Sequence, residues 1–168
     1  TDTIGPNTYR ISANSFFQTN TRQAERLYDV VRRMASLRSD DIVFDLYSGI
    51  GTIALHLARD VHAVIGIEAV ESAVDDARSN ARANGRTNCT FLPGDLKDRL
   101  TGDSAWMEGR RPSVIVTDPP RSGMHEKVLE QLLALAPERQ VYVSCNPATQ
   151  ARDLAILCAS GAYAVREV

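Results

Sequence analysis

A parallel, doubly wound α/β sheet is the fold predicted by this 168-residue sequence, and three observations predict it. Apolar runs of strand length alternate with stretches of helical periodicity. The connections between them are short, as in sheets built from successive crossovers. One run, Val43, Phe44, Asp45 and Leu46, feeds a Gly-x-Gly turn at Gly49 and Gly51 that opens directly into the helical pattern of Ala54, Leu55 and Ala58. That is the strand, loop and helix of a nucleotide-binding βαβ unit.

In chain order, residues 1–20 read as an irregular or extended lead-in, with Tyr9, Arg10 and Ile11 as a short strand. Asn20 is an N-cap, with Gln23 three residues on, before a helix whose apolar stripe is Ala24, Leu27, Tyr28, Val31 and Ala35. After the glycine loop and its helix, Ala63, Val64, Ile65, Gly66 and Ile67 form the next strand and end in Glu68. Ala69, Val70, Ala73, Val74, Ala77 and Ala81 then recur at helical spacing and stop at Asn84-Gly85. Cys89, Thr90, Phe91 and Leu92 are a third strand ending near Asp95. Residues 97–112, with the single Trp106, read as a loop with a helical turn.

Val114, Ile115, Val116 and Thr117 are a buried fourth strand, which the prolines of Asp118-Pro119-Pro120-Arg121 force to leave the ladder. A helix through Val128, Leu129, Leu132, Leu133 and Leu135 stops at Pro137. Val141, Tyr142 and Val143 are the fifth strand, and Asn146-Pro147 caps and starts a helix burying Leu154 and Ile156 or Leu157. Ala162, Tyr163, Ala164 and Val165 begin a sixth strand.

The 43% hydrophobic and 24% charged composition is that of a soluble globular chain with one sizeable core. No apolar run approaches the roughly 20 residues of a membrane span, and residues 1–20 are too polar for a signal peptide, so the expected setting is cytoplasmic, without membrane partners. Cys89, Cys145 and Cys158 form no C-x-x-C pair, so thiols are expected and no metal site. A net charge of −2 provides no bulk attraction for nucleic acid; RNA contact would need a local basic face or a separate domain.

The loop Gly49-Ile50-Gly51-Thr52-Ile53-Ala54 fits the loose dinucleotide fingerprint, and Asp45 helps to choose the ligand. A carboxylate just before the loop would repel a pyrophosphate but suits a ligand carrying an ammonium and a sulfonium, such as S-adenosylmethionine. Glu68, about 20 residues past the first glycine, stands where such folds place the acid that holds a ribose. The alternative is that Asp45 and Glu68 merely cap loops. Ligands sit outside the carboxyl ends of parallel strands, and here those ends carry Asp45, Glu68, Asp95, Asp118 and Cys145. At Cys145 the helix begun by Asn146-Pro147 would favour the thiolate a nucleophile needs. The alternative, an inert buried thiol, fits Cys89 and Cys158 better.

Asp118-Pro119-Pro120-Arg121-Ser122-Gly123, Ser144-Cys145-Asn146-Pro147-Ala148-Thr149 and the glycine loop together resemble the RNA uracil-5-methyltransferase family. The similarity runs from Phe16-Phe17-Gln18-Thr19-Asn20 to Ala151-Arg152-Asp153-Leu154. It implies the Rossmann-like class I methyltransferase fold, with residues 1–20 contributing to the cofactor site and residues 21–168 forming the catalytic domain. It also implies S-adenosylmethionine as cofactor and rRNA or tRNA as substrate. Gln18, Tyr47, Glu68 and Asp118 match cofactor-binding positions, together with Gly49, Gly51 and Thr52 of the loop, and Asp95 would lie close to the adenine. Cys145 matches the nucleophile. Arg121 stands where the family contacts target RNA; the alternative is a solvated loop charge.

The implied chemistry is addition of the Cys145 thiolate to C6 of a uridine, methylation at C5, proton removal and elimination. The family's base is a glutamate in a segment after the sixth strand; Glu167 comes too early to be it. The amino-terminal RNA-binding domain and cluster-binding cysteines common in the family are also missing. The expectation is a fragment of a longer enzyme, truncated before the last strand, with an uncovered sheet edge that favours association. Rival acceptors fit less well: amine methylation of adenine expects an aromatic residue where Arg121 stands, and cytosine-5 enzymes usually carry a second cysteine where Asp118-Pro119-Pro120 stands. A small-molecule methyltransferase would not need Cys145. A non-catalytic cofactor-binding scaffold and, less so, an NAD-linked dehydrogenase stay open.

Overall fold

The computed structural model describes residues 1–12, 17–100, 105–107 and 109–168. It opens with a small hairpin, β1 (Asp2–Ile4) and β2 (Asn7–Tyr9), turned at Gly5 with φ 55°. Helix α1 (Thr21–Ala35) starts at Asn20, whose Oδ1 accepts from Gln23 N at 3.2 Å. Then follow β3 (Ile42–Leu46), α2 (Thr52–Leu57), β4 (Ala63–Glu68), α3 (Glu71–Ala83) and β5 (Cys89–Pro93). A short α4 (Leu96–Arg99), β6 (Val114–Thr117), α5 (Glu126–Leu135), β7 (Arg139–Tyr142) and α6 (Pro147–Cys158) complete the order.

The five later strands form one parallel sheet in the order β5-β4-β3-β6-β7. Strand alternation sends Val43, Val64, Val114 and Val116 into one core and Phe44, Leu46, Ile65, Ile67 and Ile115 into the other. Helices α1, α2 and α3 pack on the first face, and α4, α5 and α6 cover the second. The sheet is therefore doubly wound, which is why its central strands read as continuous apolar runs. Chain order reverses between β3 and β6, and a crevice opens at their carboxyl ends.

Two expectations change. The short strand expected at residues 9–11 is displaced into the β1–β2 hairpin, whose three-residue arms are too brief for periodicity to register. Residues 97–112, expected as a loop with a helical turn, hold the end of α4 and a 3-10 turn (Ala105–Met107). There Trp106 lies 5.4 Å from the Phe44 ring, and its Nε1 donates to Arg99 O at 2.9 Å. Residues 101–104 and 108 of that stretch, and Phe16 of the lead-in, lie outside the described residues.

The sixth strand is not formed. Residues 162–168 are irregular, and Ala162, Ala164 and Val165 are exposed. Alternating alanines with one tyrosine and one valine present too little apolar surface to dock a strand. Tyr163 is anchored through a hydrogen bond from Oη to Pro137 O at 3.0 Å, and Glu167 pairs with Arg33 at 2.7 Å.

Gly66 of β4 lies under Phe91 of β5, where an added Cβ would come within 2.5 Å of Phe91 Cδ1. The Gly66→Ala variant is expected to lose about 1–3 kcal/mol of stability in urea titration, the usual cost of overpacking. Restoration by Phe91→Leu in the same background would confirm the contact, and an undiminished loss would refute it.

Candidate cofactor and acceptor site

At the crevice the chain leaves β3 through Tyr47, Ser48, Gly49 and Ile50 and enters α2 at Gly51. Tyr47, Gly49 and Gly51 all have positive φ (64°, 51° and 83°), and Gly51 N donates to Ser48 O at 2.9 Å. A side chain on Gly51 would bring Cβ within 2.8 Å of Phe91 Cζ, so both φ and packing demand glycine there. Two acids fasten the turn. Asp45 Oδ2 accepts from Ala54 N at 2.9 Å, and Glu68 accepts from Gly49 N at 3.0 Å and from Val70 N at 2.8 Å. Both acids expected to meet a ligand therefore also cap.

The cleft above the turn brings together Gln18, Tyr47, Gly49, Thr52, Asp45 and Asp118. Tyr28 backs it, donating from Oη to Thr52 Oγ1 at 3.0 Å. Glu68 lies behind Gly49 rather than in the cleft wall, and Asp95 stands outside it. Asp95 is exposed, caps α4 through Lys97 N at 3.1 Å and pairs with Lys97 Nζ at 2.9 Å. Hydrogen bonding to Lys97 holds its carboxyl below the usual range.

The cleft acids behave in the opposite way. Burial, the facing Asp118 and Glu68 push Asp45 up to about 8 against its bond from Ala54 N. Burial raises Asp118 to about 6, and burial with the charges of Asp95 and Asp153 pushes Tyr47 up to about 12. Two carboxyls held uncomfortably close and dry are a receptor for positive charge.

The acceptor side lies at the neighbouring strand ends. Val143 N extends the β6–β7 ladder to Thr117 O at 2.8 Å, after which Asp118 turns into the cleft and Cys145 emerges exposed. Ser144 and Asn146 form a tight turn around Cys145: Asn146 N donates to Ser144 Oγ, and Ser144 Oγ to Asn146 O, both at 3.0 Å. Asn146 Oδ1 caps α6 through Ala148 N at 3.1 Å. Arg121 is exposed, and its carbonyl accepts from Asn146 Nδ2 at 3.0 Å and Thr149 Oγ1 at 3.3 Å. The Asp-Pro-Pro-Arg loop and the cysteine loop are thus stitched together.

Sequence reasoning missed the brace beneath them. Asp153 is fully buried and accepts from Met124 N and Tyr142 Oη, each at 2.8 Å, and from Arg152 Nε and Nη2 at 2.8 and 2.7 Å. Arg152 Nη2 also reaches Ser122 O at 3.1 Å. Gly123, with φ 80°, permits this approach, since a Cβ there would meet Arg152 Nη2 at 2.5 Å. An Arg-Asp pair in a helix carries no local signal of this role.

A doubly wound sheet with an acidic crevice at its switch point is the fold of class I S-adenosylmethionine-dependent methyltransferases. The family model described as tRNA (Uracil-5-)-methyltransferase matches residues 6–164, and the chain belongs to that family. An RNA methyltransferase of Porphyromonas gingivalis, whose function is uncharacterised, is 56% identical over 92% of this chain and 33% of its own length. A counterpart in Chlorobaculum tepidum is 53% identical over 96% of this chain and 33% of its own. The chain spans about a third of the length of these relatives. Among solved structures, the Pyrococcus abyssi tRNA (uracil-54, C5)-methyltransferase in complex with S-adenosyl-L-homocysteine superposes with TM-score 0.76. It is 34% identical, over 89% of this chain and 35% of that one. Precorrin 8w decarboxylase of Methanobacterium thermoautotrophicum, 18% identical with TM-score 0.75 over 91% of this chain and 78% of that one, shares the fold alone.

The raised acids set a pH dependence. A carboxyl whose folded value exceeds the unfolded value of about 4 contributes stability that is complete below that value. The contribution is lost as pH rises through the folded value, about 6 for Asp118 and about 8 for Asp45. Asp45→Asn keeps an acceptor for Ala54 N without the charge. Its melting temperature, relative to the parent chain, is expected to rise progressively between pH 5 and pH 8, and parallel curves would refute the assignment.

Proposed function

We infer that this chain is the cofactor-binding catalytic portion of an enzyme that methylates C5 of a uridine in tRNA or rRNA, with Cys145 as nucleophile. The observation that carries the reading is the joining of Arg121 O to Asn146 and Thr149. It sets an exposed thiol and a cationic side chain beside the strand end from which Asp118 enters the cleft. Membership of the family and the cofactor product bound in the Pyrococcus abyssi neighbour support it.

S-adenosylmethionine supplies an electrophilic methyl group on a sulfonium. Asp45 and Asp118 would complement its positive charges, Gln18 and Tyr47 would border it, and Gly49, Gly51 and Thr52 would let it approach the backbone. Glu68, which holds Gly49 N, would take the ribose, and Asp95 would lie near the adenine. Cys145, as thiolate, would add to C6 of the uracil and leave carbanion character at C5, which would take the methyl group as the S–CH3 bond breaks and the sulfur leaves as the neutral thioether. Loss of the C5 proton to a base and elimination then restore the free thiolate. Glu167 is paired with Arg33 at 2.7 Å, and we read the base as coming from the remainder of the longer enzyme. Arg121 is free to meet RNA phosphate or base, with the target uridine turned out of its stack.

The chain mixed with S-adenosylmethionine and RNA containing 5-fluorouridine should form an adduct at Cys145, visible by mass spectrometry, that persists because fluorine does not leave as a proton does. Cys145→Ala should abolish it. Cofactor binding with no adduct on the full-length parent would overturn the acceptor assignment. Because burial raises Asp45 to about 8 and Asp118 to about 6, a cation bound beside them should displace protons, chiefly from Asp45, between pH 6 and 8. Calorimetry in buffers of different ionisation enthalpy measures this release, and buffer-independent heats would contradict the placement of the cationic group.

A further inference from the structure

Residues 8–12 run extended beside α3, and alternate residues meet side chains one helical turn apart. Thr8 N donates to Asn84 Oδ1 at 2.9 Å, and Thr8 O accepts from Asn84 Nδ2 at 2.7 Å. Arg10 N donates to Asn80 Oδ1 at 2.7 Å, and Arg10 O accepts from Asn80 Nδ2 at 3.2 Å. Ser12 N and Oγ donate to Asp76 at 2.8 and 2.9 Å. Two residues of extended chain advance about 6.6 Å and four of helix about 6 Å, so the helix face takes the place of a neighbouring strand.

Asn80 differs from the other two rungs. It is 1% exposed, and its Nδ2 also donates to Ile50 O, inside the glycine loop, at 3.1 Å. Both amide hydrogens and the carbonyl are thereby used, each on main chain. One side chain thus joins Arg10 of the lead-in, the segment that also supplies Phe17 and Gln18 to the cleft, to the turn that holds Gly49 and Gly51.

The geometry points to Asn80 as a positioning residue for the cofactor, one that locks the lead-in to the glycine loop so that the two walls of the cleft form together. Asn80 acts through Ile50 and Arg10 and touches no cleft ligand. The proposal rests on the cleft binding S-adenosylmethionine and does not depend on which acceptor is methylated. Asn84 is the internal control, because it makes the same paired bonds to the lead-in without reaching the loop.

Calorimetry with S-adenosylmethionine on this chain tests it. Asn80→Ala should weaken binding by about tenfold or more, whereas Asn84→Ala should stay within about twofold. Equal weakening in both variants, or none in either, would overturn the proposal. In the unmodified chain, saturating S-adenosylmethionine should slow amide hydrogen exchange at Arg10, a readout that does not require any variant to fold. Unchanged exchange there would also overturn it. Failure of the unmodified chain to bind S-adenosylmethionine would remove both this proposal and the functional reading, while binding without an RNA adduct would remove only the uridine assignment.

Discussion

The hydrogen bond from Ala54 N to Asp45 Oδ2 is the contact on which the rest of the site depends. Asp45 sits on the central strand, 1% exposed, between β4 and β6. A carboxyl in that position is costly without a partner. Its bond reaches across the glycine turn to the first turn of α2, so the strand and the helix are tied on either side of the loop they enclose. The turn can then hold Tyr47 in the left-handed region, an arrangement that a bulky residue adopts only when its surroundings impose it.

The same bond and its companion at Glu68 decide what the loop is able to receive. The amides of Gly49 and Ala54 are the donors that a pyrophosphate would need at a helix N-terminus. Here they are occupied by carboxyls. A site with these two donors taken by carboxyls and two acids facing inward suits a cation, which argues against the dinucleotide alternative on electrostatic grounds. The slightly acidic net charge matters less than this local arrangement.

On the other side of the crevice, positioning is achieved by main-chain carbonyls and one buried acid. Asp153 holds the end of β7 through Tyr142 and the loop after β6 through Met124, while Arg152 gathers Ser122. Above that brace, Asn146 and Thr149 clasp the carbonyl of Arg121. The guanidinium of Arg121 and the thiol of Cys145 stay exposed while the backbone that carries them is fixed.

Periodicity determined most of the fold without help. The apolar runs of the five parallel strands, the Asn20 and Asn146 caps, the stop at Asn84-Gly85 and the exit forced by Pro119-Pro120 are local features, and each depends on physics that acts within a few residues. The glycine loop and the two loop motifs also marked the candidate site, because glycine, proline and cysteine have few interchangeable uses. Tertiary structure alone decided the rest. It withheld a sixth strand from residues 162–165, which have no apolar face to dock, and it placed Glu68 and Asp95 on capping duties beside the cleft. It also gave Asp76, Asn80, Asn84 and Asp153 their distant partners, from 11 to 76 residues away. A buried polar side chain shows only its type in a sequence; which main-chain group satisfies it depends on packing between distant segments.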